Sequence, residues 1–133
     1  MPITQLIYAS RPFGFDAALL AGILMDARRC NTRDGITGAL ICRDDLYLQL
    51  LEGPDEVVEA AYHRIAKDDR HLEVRCLSRR TLGDEGRLFP RWAMRDDPAM
   101  SWVWSRVEID NGVLDHATQA ESVAIFERLA KLS

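Results

Sequence analysis

Two short apolar runs, residues 36–43 and 46–52, stand two residues apart, and one amide interrupts the second. The spacing and the Asp44-Asp45 pair between them predict two buried strands joined by a hairpin turn. Gln49 sits in that second run among Leu48, Leu50 and Leu51. A buried amide is costly unless its donors and acceptor are paired. Some group in the fold must therefore donate and accept hydrogen bonds there, and backbone groups are the simplest candidates.

The other elements follow from periodicity and punctuation. Residues 3–10 alternate and are rich in β-branched and aromatic side chains, so they read as a first strand with Leu6, Tyr8 and Ser10 on one face. Asp16 is a candidate N-cap for a helix of about 15 residues ending near Asn31. Leu20, Leu24, Ala27 and Asn31 form its inward stripe, with Asn31 as the polar end. Asp34-Gly35 is a turn. Gly53-Pro54-Asp55-Glu56 opens a second helix, whose stripe is Val58, Ala61, Tyr62 and Ile65. Arg64 and Asp68 are spaced for a pair on a neighbouring stripe, and Asp68-Asp69-Arg70-His71 reads as a helix end.

Residues 72–78 and 88–94 are expected to be two more strands, with a break at Asp96-Asp97-Pro98. Beyond it, Asn111-Gly112 marks a turn, and Thr118 with Glu121 makes a capping box for a last helix. Val123, Phe126, Leu129 and Ala130 form the apolar stripe of that helix, which would cover the far face of the sheet. The order βαββαββ fits an α+β, ferredoxin-like mixed sheet with two helices on one face and a C-terminal helical cap on the other. In that topology the first and third strands are central neighbours, which brings Tyr8 and Gln49 together.

The 133 residues suit one core. A net charge of −4, with Arg28-Arg29 and Arg79-Arg80 only as isolated pairs, argues against nucleic acid as a partner. The N-terminus lacks the basic and apolar regions of a secretory signal, and no apolar run approaches a membrane span. Three cysteines argue for a reducing, cytoplasmic setting rather than a disulfide framework. His63, His71, His116 and the cysteines match no metal spacing, so no metal is expected, and there is no phosphate-binding glycine loop.

Taken in order, several pieces resemble the BLUF family, sensors of blue light using FAD: Leu6-Ile7-Tyr8-Ala9-Ser10, then Asn31 before Gly35-Ile36-Thr37-Gly38, then Leu48-Gln49 before Leu51-Glu52-Gly53-Pro54. Tyr62-His63-Arg64-Ile65, Asp68-Asp69-Arg70-His71 and Phe89-Pro90-Arg91-Trp92-Ala93-Met94 complete the pattern. The resemblance covers residues 3–95 as a flavin-binding core and leaves 96–133 as an extension.

The resemblance implies FAD as cofactor, with FMN or riboflavin able to substitute. It implies Tyr8 and Gln49 as the photoactive pair, with proton-coupled electron transfer from Tyr8 followed by rearrangement of Gln49 and a red shift. Asn31, Asp68 and Arg70 would meet the ring edge, Arg64 would help with the pocket or the flavin tail, and Leu24 would line it. Trp92 and Met94 would relay the signal. Two positions depart from the family pattern: Ala27, where a polar residue is common, and Cys30, where a second Asn or a His is common. Since the chain ends soon after the core, the expectation is a sensor that is not itself an enzyme, with output through a separate effector protein or a homo-oligomer. The rival expectations are a ferredoxin-like small-molecule binder or enzyme without photochemistry, and an unliganded interaction module.

Overall fold

The hairpin over residues 36–53 lies at the middle of the molecule because both of its faces are buried. A computed structural model describes residues 3–12, 17–43, 46–68, 71–83, 86–89, 95–98 and 104–131. Its strands are β1 (Ile3–Pro12), β2 (Thr37–Arg43), β3 (Leu46–Gly53), β4 (His71–Leu82) and β5 (Arg95–Pro98). The helices are α1 (Ala17–Asp34), α2 (Asp55–Ala66), α3 (Arg106–Asp110) and α4 (Gln119–Lys131), with a 3₁₀ turn at Val113–Asp115. The sheet order is β4-β1-β3-β2-β5. β1 pairs antiparallel with β3 and β4, β2 pairs antiparallel with β3, and β5 runs parallel to β2. This is the expected α+β arrangement, with β1 and β3 central.

Every residue of β3 is buried, so its alternation separates two cores. Leu6, Tyr8, Leu40, Tyr47 and Leu51 pack against Ile23 and Leu24 of α1 and Val58 and Ala61 of α2. On the opposite face Ile7, Ala9, Ile41, Leu48 and Leu50 pack against Trp104, Ile109, Val123, Phe126 and Leu129. The last helix therefore covers the second face, as its apolar stripe predicts. The Thr118–Glu121 box is formed: Glu121 N–H donates to Thr118 Oγ1 at 3.1 Å, and Thr118 N–H donates to Glu121 Oε1 at 3.1 Å. Ser105 and Glu108 form an equivalent box at the start of α3.

Several boundaries differ from expectation; β4, expected over residues 72–78, runs from His71 to Leu82. α1 continues past Asn31 to Asp34, and Gly35 ends it with φ +72°, a left-handed position that glycine adopts without strain. The Ile36 N–H then donates to the Asn31 carbonyl at 2.9 Å, which satisfies an orphan helix carbonyl. The strand expected at 88–94 is not found at its start: Leu88 and Phe89 form a bend, and 90–94 lie outside the described residues. Instead residues 95–98, which include the expected break at Asp96-Asp97-Pro98, form β5 along the open edge of β2. An edge position tolerates a proline that an inner strand would not. The expected N-cap Asp16 and the hairpin turn Asp44-Asp45 lie outside the described residues.

Gly38, in β2, lies so close to β3 that a Cβ there would run into the carbonyl oxygen of Leu50. Backbone cannot rotate aside as a side chain can, so Gly38→Ala should pry the hairpin apart. The expected loss is roughly 1–3 kcal/mol, the usual cost of overpacking. Urea unfolding measures it, and an unchanged midpoint would show that the two strands can separate freely.

Candidate functional site

The two helices on the first face leave a cleft above β3. Ile23, Ala27 and Asn31 of α1 form one wall, Ile65 and Arg64 of α2 with Asp68 form the other, and Gln49 lies at the floor. Asp26, Arg29 and Cys30 complete the lining, and the cavity encloses about 150 Å³. Its apolar walls come from the helical stripes, and its polar groups come from positions that end or interrupt those stripes.

Beneath the floor, Tyr8 of β1 is the register partner of Gln49 on β3 and does not itself line the cleft; Leu40 of β2 stands opposite Gln49 on its other side. The Tyr8 hydroxyl donates to Gln49 Oε1. Both side chains are buried, Tyr8 at 0% and Gln49 at 3% exposure. Burial, and after it the nearby Asp68 carboxylate, pushes the Tyr8 phenol far above its usual pKa, so it stays protonated. The Tyr62 ring stands 5.8 Å from the Tyr8 ring, tilted by 55°. Between Ile7 and Tyr8 the β1–β4 register slips by a residue, and Glu73 on β4 has φ +52°. Bulges of this kind re-aim side chains beside functional sites.

Asn31 is buried at 2% exposure and reaches the cleft from α1, as its place on the inward stripe predicts. Asp68 and Arg64 line the opposite wall of the cleft. Leu24, expected to line it as well, packs instead into the core with Leu6 and Tyr8, and its neighbour Ile23 takes the wall. The helical twist decides between two adjacent apolar residues in a way that a stripe count does not. Arg70, Trp92 and Met94 lie outside the described residues. Sequence reasoning gave no role to Ile23, Asp26, Arg29 or Ile65 in the cleft; the i,i+3 spacing of Ile65 and Asp68 was the available signal. Ala27 and Cys30, the two departures from the family pattern, are both in the lining.

Among the described residues no cluster of His, Cys, Asp and Glu could hold a metal ion, and no helix is long and apolar enough to cross a membrane. The family of sensors of blue light using FAD matches residues 3–95. The chain belongs to the BLUF family. Among relatives, it is 33% identical over 93 residues to the photoactivated adenylate cyclase subunit beta of Euglena gracilis, which is 69% of this chain and 10% of that protein. The chain thus spans about a tenth of the length of that relative. Among solved structures, the dark state of BlrB, a BLUF protein, superposes with a TM-score of 0.80 at 26% identity, covering 98% of this chain and 97% of that one. The photo-activated state of BlsA superposes with a TM-score of 0.73 at 26% identity, covering 100% and 96%.

The donor set of the cleft fits the BLUF cofactor. An isoalloxazine is a flat apolar plate with carbonyls and nitrogens along one edge. Ile23, Ala27 and Ile65 offer apolar walls, Asn31 and Gln49 can each donate and accept, and Asp68 can accept.

Proposed function

We propose that this chain is a blue-light photoreceptor that holds FAD in the cleft between α1 and α2 and signals through Tyr8 and Gln49. The observation that carries the reading is the hydrogen bond from the buried Tyr8 hydroxyl to Gln49 Oε1 at the cleft floor. The flavin, when bound, supplies the visible absorption and an excited state that accepts an electron. Everything else is done by side chains. Tyr8 holds a phenolic proton and an electron that can leave together, and burial prevents it from losing the proton beforehand. Gln49 accepts that proton's hydrogen bond, and its amide can reorient because an amide donates from one end and accepts at the other. Asn31 and Asp68 hold the ring edge, and Arg29 and Arg64 suit an anionic tail. Electron and proton return to Tyr8 for the sensor to reset, so the cycle consumes nothing.

We assign sensing to residues 3–95 and a covering role to residues 96–133, whose Trp104, Phe126 and Leu129 share a core with the sheet. Output then passes to a separate effector protein or through self-association, with no catalysis by this chain. A reducing, cytoplasmic setting suits the free thiols of Cys30 and Cys76, and cell fractionation tests that placement. Family membership lends no support to a ferredoxin-like enzyme or an unliganded module. The deciding experiment is spectroscopic. The purified protein should be yellow, and blue illumination should shift its visible band reversibly to the red. A colourless protein that takes up no added flavin would overturn the reading.

A further inference from the structure

The strand that carries Gln49 also carries a buried carboxylate that the photochemistry does not use. Glu52 is 0% exposed and lies on the face of β3 away from the cleft. Among the described residues, the partners of its side chain are all donors. The Leu88 N–H lies 2.8 Å from Oε1 and 2.9 Å from Oε2, the Phe89 N–H lies 2.9 Å from Oε1, and Gln5 Nε2 donates to Oε2 at 2.9 Å. Gln5 is held in turn by Arg80, whose Nε donates to Gln5 Oε1 at 2.7 Å. The guanidinium thus reaches the carboxylate through one amide. A buried carboxylate is kept only where such donors surround it, and losing them is expensive.

The connection is specific in what it joins. Leu88 and Phe89 form the bend that precedes β5; the Phe89 ring is buried against Phe126, and the backbone amides of the bend are held by this carboxylate. Glu52 therefore ties the strand that bears the photoactive amide to the chain leading out of the sensing core. We propose that Glu52 is the positioning residue through which a change at Gln49 reaches the segment beyond β4. A displacement of β3 at Gln49 moves the carboxylate three residues along, and the Leu88 and Phe89 amides follow it or are released. The inference rests on the photoreceptor reading and adds the contact by which the signal leaves the core.

The test is hydrogen exchange at the Leu88 and Phe89 amides, in darkness and under blue light, with the flavin red shift recorded on the same samples. In the unaltered protein both amides should exchange slowly in the dark and at least about tenfold faster in the light. Glu52→Leu removes every acceptor from these N–H donors. It should exchange fast in both states while keeping the red shift, a loss of light dependence that mere destabilisation of the fold would not confine to these amides. Equal protection in light and dark in the unaltered protein, with the red shift intact, overturns the inference whether or not the variant folds. A full light–dark difference in Glu52→Leu overturns it as well. Absence of any red shift in the unaltered protein would instead overturn the photoreceptor reading, and this inference with it.

Discussion

Tyr8→Phe should give a protein that folds, binds flavin and no longer shifts to the red under blue light. The substitution removes one oxygen and keeps the ring, so packing against Tyr62 and the surrounding core is retained. What disappears is the donor to Gln49 Oε1, and with it the only phenol in register with that amide. The expected effect is loss of the photoreaction rather than a slower one, because the electron and the proton come from the same group. Removing the Tyr8 donor to Gln49 Oε1 should cost only about 1–3 kcal/mol of stability, which the fold can absorb. Difference absorbance before and after illumination reads the outcome. A normal, reversible red shift in Tyr8→Phe would mean that another donor serves, and Tyr62, 5.8 Å away, would be the first to examine. Gln49→Leu gives the complementary result: the phenol remains, the amide is gone, and the shift should be lost again.

The second large effect concerns affinity. Asn31→Ala would remove one of the polar groups proposed to hold the ring edge, at roughly 1–3 kcal/mol. That corresponds to a loss of up to about a hundredfold in flavin binding. Combining it with Asp68→Ala removes polar groups from opposite walls of the cleft. The two losses need not add, since both residues would act on one ligand. The ratio of flavin to protein absorbance after purification measures occupancy. Unchanged occupancy in the double variant would remove the flavin from this cleft. Asp68→Ala has a second consequence, because the Asp68 charge helps to hold the Tyr8 phenol protonated.

Much of the site was legible because its residues break local patterns. Gln49 interrupts an apolar strand, Asn31 ends an apolar helical stripe, and both prove to be buried at the cleft. Tyr8 alone carries no such signal, since a strand tyrosine is ordinarily core. Its pairing with Gln49 was legible only through the strand order that the βαββαββ pattern implies. The Thr118–Glu121 box and the stripe of α4 likewise located the cap.

By itself the sequence determined the first four strands, the two helices beside the cleft, the last helix and the polar positions set into them, because periodicity and capping act between residues a few positions apart. What only the tertiary structure decided depends on partners distant in the chain. β5 exists because the edge of β2 is open to residues 95–98, whose own composition reads as a turn. Glu52 is buried because Leu88 and Gln5, 36 and 47 residues away, bring donors to it, and its place at the end of the 46–52 run names neither. Ile23 rather than Leu24 faces the cleft because the rotation of α1 is set by the sheet beneath it. Local sequence can say that a group needs a partner, but only the packed fold supplies which one, since the free energy that selects it comes from contacts that do not exist until the chain has closed on itself.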